Sequence, residues 1–97
     1  FTPELRGRRR DFDVGVLYDD HQERAALLAH ALAEQRLRVR HNEPYSGLDG
    51  LIFSARSHGQ RHGAPYLEIE VNNALLRSES GAQEVASRIA AALREVL

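Results

Sequence analysis

Ninety-seven residues, 42% of them hydrophobic, make at most one small domain, and a chain this short buries only a modest share of its surface. A net charge of −1 and an isoelectric point near 6.6 exclude the global positive field that nucleic acid or an acidic membrane surface selects. The absence of cysteine excludes a disulfide framework and thiolate metal sites, and no apolar run approaches a membrane span or a secretion signal, so the expected location is the cytoplasm.

Phe1-Thr2-Pro3 does not read as a natural start, so the chain reads as a piece of something longer. Arg6, Arg8, Arg9 and Arg10 cluster, but Asp11 and Asp13 follow at once, which predicts a solvated or ion-paired loop rather than a nucleic-acid arm. Asp13 to Tyr18 is short, apolar and β-branched, the pattern of a buried strand. Asp19 and Asp20 are helix-cap candidates, with Glu23 as capping-box partner. Ala25, Leu28, Ala29, Leu32 and Ala33 then recur at three- and four-residue spacing, predicting an amphipathic helix over 20–35.

A second strand-like run, Leu37 to His41, leads into Asn42-Glu43-Pro44-Tyr45-Ser46-Gly47, a polar, aromatic, turn-forming loop. Leu51 to His62 suits a short helix. Tyr66 to Val71 predicts a third strand with Leu67, Ile69 and Val71 on one face and Tyr66, Glu68 and Glu70 on the other. Ser80 can cap a last helix with the stripe Val85, Ile89, Ala92, Leu93 and Val96. The order β-α-β-α-β-α predicts an α/β fold in three layers with a mostly parallel sheet. Three strands are few for such a sheet, so residues 1–97 read as a fragment of a larger phosphorylase- or hydrolase-like domain with neighbouring strands missing.

In open α/β sheets, ligands bind in the crevice outside the carboxyl ends of the strands. Asn42 and Tyr45 follow one strand and Glu70 lies near the end of another, so these three are the first candidates. A carboxylate there serves as a general base when burial raises its pKa toward neutrality, or else it is a surface glutamate on an edge strand. Glu68, on the same face, reads as a solvated or paired carboxylate. Asn42 and Tyr45 either orient a polar substrate or form an Asx-turn and an aromatic lid. His58 and His62 share a helical face at i,i+4 spacing, but no Glu follows the first histidine as in His-Glu-x-x-His zinc sites.

Phe1-Thr2-Pro3, Val14-Gly15-Val16-Leu17-Tyr18-Asp19, Asn42 to Gly47, His58 and Gly63-Ala64-Pro65-Tyr66-Leu67-Glu68-Ile69-Glu70 occur in the order found in the N-formylglutamate amidohydrolase family, which this chain resembles over most of its length. The resemblance implies a zinc-carboxypeptidase-like fold and hydrolysis of an N-formyl or N-acyl amino acid amide by a zinc-bound water. In the family pattern a His-Ser precedes Phe-Thr-Pro, and that histidine looks like a zinc ligand, with the others further upstream. The zinc ligands are therefore expected in the N-terminal part of the same protein, none among residues 1–97, and this segment alone is expected to be inactive. Glu70 resembles the family's catalytic carboxylate. Asn42, Tyr45 and His58 match positions that shape the substrate pocket, and Arg10 falls where the family usually has arginine. The family's Arg and Asp after the last strand are Asn72 and Ala74 here, and Arg56 is the candidate to replace the missing charge on the substrate's carboxylate. The alternative is a non-catalytic α/β module of the same fold that binds a small polar ligand or a protein partner.

Overall fold

In the computed structural model, which describes residues 1–97, Glu4–Leu5 (β1) and Arg8–Arg9 (β2) pair antiparallel as a small exposed hairpin. Its turn residues Arg6 and Gly7 both have positive φ, 52° and 78°, the backbone that joins two paired strands with the right twist. The arginine-rich segment is thus a hairpin rather than an irregular loop. Its charges still face solvent, with Arg9 3.8 Å from Asp11.

Val14–Leu17 (β3) is buried along its whole length and forms the middle of a three-stranded sheet. Gln22–Glu34 (α1), Val39–His41 (β4), Phe53–His62 (α2), Glu68–Val71 (β5) and Glu79–Val96 (α3) follow, with short 3-10 turns at Gly47–Asp49 and Asn73–Leu76. The predicted β-α-β-α-β-α order is present from β3 onward. The sheet order is β4-β3-β5, with β4 parallel to β3 and β5 antiparallel to it. The expectation of a mostly parallel sheet is therefore corrected to a mixed one.

The reason lies in α2, which does not carry the chain back across the sheet. The helix stops at Gly63, whose φ of 61° is free of strain only without a side chain. The Ala64 N–H bonds back to the Gly59 carbonyl at 2.9 Å, and the chain re-enters the sheet from the edge at which β3 ends. Period and order in the sequence register a helix between two strands, but not which end of the sheet it returns to.

Apolar spacing is realised with small shifts. Val14 and Val16 meet Ala25, Leu28, Ala29, Leu32 and Ala92 in the main core, with Ile89, Leu93 and Val96 packed against it. Ala31 takes the buried place that periodicity gives Ala33. Helix α1 starts two residues later than predicted because His21 adopts φ 63° and neither aspartate caps it. Ser78, not Ser80, caps α3, accepting the Gly81 N–H at 3.0 Å. A smaller cluster of Leu17, Ile52 and Tyr66 anchors α2 on the other face of the sheet.

Asp13 locks β3 to the chain entering β4. Its Oδ2 accepts the Arg38 backbone N–H at 2.7 Å and its Oδ1 accepts a guanidinium N–H at 3.0 Å. Burial pushes the Asp13 carboxyl up, but the side-chain and backbone hydrogen bonds and the charge of Arg38 prevail and hold it below the ordinary 3.8. The pair therefore stabilises the fold fully above pH ~4, the unfolded value, and the contribution disappears as pH falls through the lower folded value. Asp13→Asn is expected to lower the unfolding free energy by about 1 kcal/mol at pH 7, because Arg38 is largely exposed and screened. Urea titrations at pH 7 and pH 3 check this, with a difference at pH 7 that shrinks at pH 3.

Candidate functional site

Directly paired residues in a ladder project to the same face. β5 pairs Glu70 with Gly15 and Glu68 with Leu17, and β4 pairs Arg40 with Gly15. Glu68, Glu70 and Arg40 therefore share the face opposite Val14 and Val16. At Gly15 this face is occupied by backbone, since a Cβ there would collide with the carbonyl oxygen of Glu43. The 42–47 loop thus folds back over β3, beside Glu70.

Asn42 holds the loop in that place. Its Oδ1 accepts the Tyr18 N–H at 2.9 Å and the Gly47 N–H at 3.0 Å, and its own N–H donates to Val16 O at 2.8 Å. Its φ of 52° is one that asparagine tolerates better than most residues. Gly47 rests directly on the Tyr18 carbonyl, and the Glu43–Pro44 peptide is cis. The oxygen of Asn42 is thus committed to shaping the loop. Asn42→Ala is expected to cost about 1–3 kcal/mol of stability, since two N–H groups lose their acceptor, whereas Asn42→Asp keeps the acceptor and stays near wild type. Denaturant midpoints of the two variants measure the difference.

Glu68 and Glu70 are both half-buried, and neither side chain makes a hydrogen bond or ion pair. Burial pushes the Glu68 carboxyl up, and the neighbouring Glu70 charge adds to it. At the far end of β5, Asn72 is a staple. Only 5% exposed, it donates to Phe12 O at 3.0 Å and Arg10 O at 3.3 Å and accepts the Ala74 N–H at 2.9 Å. The Phe1 nitrogen donates to Val71 O at 2.6 Å, and the Asn73 N–H donates to Phe1 O at 2.7 Å. Together these two bonds form the pattern of a parallel bridge between Phe1 and Asn72.

Of the residues singled out in the sequence, Asn42, Tyr45 and Glu70 come to one face. Tyr45 is 40% exposed and its ring faces the guanidinium of Arg10. Arg56 lies instead at the end of β3, its Nε 3.3 Å from Asp19 Oδ2, so a carboxylate of the protein already engages it. His58 is exposed, its ring 4.5 Å from that of His62, while α2 turns Ile52 and Gly59 inward; no contact brings it to Glu70. No group of three His, Asp or Glu side chains is arranged to hold a metal ion.

Asp19 escaped sequence reasoning as anything but a helix cap. Its side chain is 12% exposed. Burial pushes the carboxyl up, but the Asp20 N–H, the Tyr66 hydroxyl and the Arg56 charge together hold it below the ordinary 3.8. Tyr66 donates to Asp20 Oδ2 at 3.2 Å, and burial, with the two neighbouring carboxylates, pushes its hydroxyl up to about 12. The available signal was position: a carboxylate directly after a fully buried central strand.

Two concavities lie away from Glu70. An apolar groove of about 270 Å³ between α1, α3 and β5 includes Leu27, Leu67, Ile69 and Leu93 on the opposite face. A polar one of about 290 Å³ adjoins Asp20, His21 and Tyr66. No helix is long and apolar enough to cross a membrane.

Comparison with known proteins gives the fold and the family. Gene product Atu2144 from Agrobacterium tumefaciens, known from its crystal structure, superposes with a TM-score of 0.79 at 29% sequence identity, over 99% of this chain and 40% of that one. The chain therefore spans about 40% of the length of that neighbour. No curated protein matches the sequence. The model of the N-formylglutamate amidohydrolase family matches residues 1–77, which include β1 to β5 and the turn after them. The fold is of the amidohydrolase type. The chain belongs to the N-formylglutamate amidohydrolase family.

Proposed function

We infer that this chain is the C-terminal part of a zinc-dependent hydrolase that cleaves the amide bond of an N-formyl or N-acyl amino acid, with Glu70 as its general base. One observation carries the reading: the parallel bridge of Phe1 beside an unpaired, half-buried Glu70. In a parallel ladder the register continues residue by residue, so a strand ending at Phe1 sets the residue two places earlier beside Glu70, on the same face. In the family pattern that residue is the histidine of His-Ser. The sheet edge thus supports a metal ligand and the proposed base as lateral neighbours.

In this reading the ligands of the proposed zinc lie in the upstream part of the protein, as the family pattern implies. When bound, zinc lowers the pKa of a water and polarises the scissile carbonyl. Glu70 takes the proton of the attacking water and delivers it to the leaving amine nitrogen. The loop held by Asn42 walls the face, and Tyr45 offers a phenol to the substrate. Position 72, arginine in the family, is here a backbone staple, so it does not read substrate charge.

The non-catalytic reading rests on the replacements at Asn72 and Ala74. A binding module could use the half-buried Glu70 as a contact, so turnover, rather than the presence of that carboxylate, separates the two readings. The test uses the full-length protein: release of formate from N-formyl-L-glutamate, with zinc per chain measured on the same sample. One zinc per chain and turnover that chelation abolishes are expected. A folded, zinc-loaded protein inert toward N-formyl and N-acetyl amino acids would sink the reading.

A further inference from the structure

Arg10 is held by three neighbours. Its guanidinium carbon lies 5.8 Å from the centroid of the Phe1 ring and 5.7 Å from that of Tyr45, so two aromatic rings flank it. One terminal nitrogen donates to the carbonyl and hydroxyl oxygens of Thr2, at 3.1 Å each. Two other arginines already face carboxylates of the protein, Arg40 lying 3.9 Å from Glu43 and Arg56 3.3 Å from Asp19. Arg10 has no carboxylate within ion-pair distance. A guanidinium carries five N–H donors in a planar fork, so after Thr2 is served, Nε and the second terminal nitrogen remain as a preset pair.

The position of that fork follows from contacts already described. Phe1 bridges Asn72 and therefore projects on the face of Glu70. Asn72 donates to the backbone carbonyl of Arg10 at 3.3 Å. Tyr45 belongs to the loop whose Glu43 carbonyl covers Gly15, the ladder partner of Glu70. We propose that Arg10 binds a carboxylate of the substrate on the Glu70 face, held in plane by Phe1, Tyr45 and Thr2. The inference rests on the amidohydrolase reading and gives it a charge reader.

The test is calorimetric titration of the full-length protein with N-formyl-L-glutamate and with its two monoamides, alongside turnover of each. Wild type is expected to prefer the diacid over one of the monoamides by roughly 10- to 100-fold, the range of a charge-assisted bidentate contact. Arg10→Gln erases that preference while leaving affinity for the disfavoured monoamide unchanged. Arg10→Lys, which keeps the charge but not the fork, lies between the two and serves where the Gln variant folds poorly. Discrimination that survives in either variant at the wild-type ratio overturns the role of Arg10, whatever the turnover. A wild-type protein that binds with this discrimination but cleaves nothing overturns the amidohydrolase reading alone, and one that binds none of the three overturns both.

Discussion

Glu70→Gln in the full-length protein lowers kcat by roughly 10²–10⁴-fold and leaves zinc content unchanged, if Glu70 moves the proton between water and amine. The substitution keeps the volume and one hydrogen-bonding oxygen but removes the proton acceptor. Because the Glu70 side chain makes no ion pair or hydrogen bond with residues 1–97, neutralising it breaks no contact there, and stability is expected to stay within about 0.5 kcal/mol of wild type. Glu68→Gln, on the same face, removes only the neighbouring charge and gives a much smaller loss. Steady-state turnover, metal analysis and a thermal melt separate these effects. A Glu70→Gln variant with near-normal kcat contradicts the mechanism.

The second large effect belongs to a residue without a side chain. Gly15→Ala places a methyl group against the Glu43 carbonyl, and this neighbour is backbone that cannot rotate aside. Either β3 or the 42–47 loop must move. Overpacking of this kind costs about 1–3 kcal/mol. Function suffers more, because the loop carries Tyr45, one of the two rings that flank Arg10. Misplacing binding groups by about an ångström costs on the order of 10²-fold in kcat/KM. Denaturant midpoint and kcat/KM measured together are expected to fall together. A variant normal in both shows that the loop does not lie on β3.

Much of the fold was legible because buried faces impose period. The stripes of α1 and α3 are packing patterns that the structure reproduces to within a residue or two, and Leu67 and Ile69 pack against the main core although β5 is half-buried along its whole length. The hairpin of β1 and β2 was not legible, since two-residue strands of exposed side chains have no face to bury. Nor was the antiparallel run of β5, which depends on where Gly63 stops a helix. In the site, Glu70 and the 42–47 loop were singled out by residue type at the carboxyl ends of strands, but the antiparallel β5 puts its carboxyl end opposite those of β3 and β4, and the loop comes beside Glu70 only by folding back over Gly15. The sequence left Asn42 between two roles because a side-chain oxygen that serves backbone 24 residues earlier leaves no local trace. Arg56 and His58 sit on α2 at plausible spacing, but the face a short polar helix turns inward is set by Gly59 against Tyr66, a contact no spacing rule encodes.

Register at the Phe1 edge is the centre of the account, and a crystal structure of the full-length protein with zinc bound measures it directly. The account predicts a strand ending at Phe1 alongside β5, its residue two places before Phe1 ligating the metal, and the Glu70 carboxylate one water away from that metal. A metal bound elsewhere, or a Glu70 face sealed by apolar side chains from the N-terminal part, would contradict it.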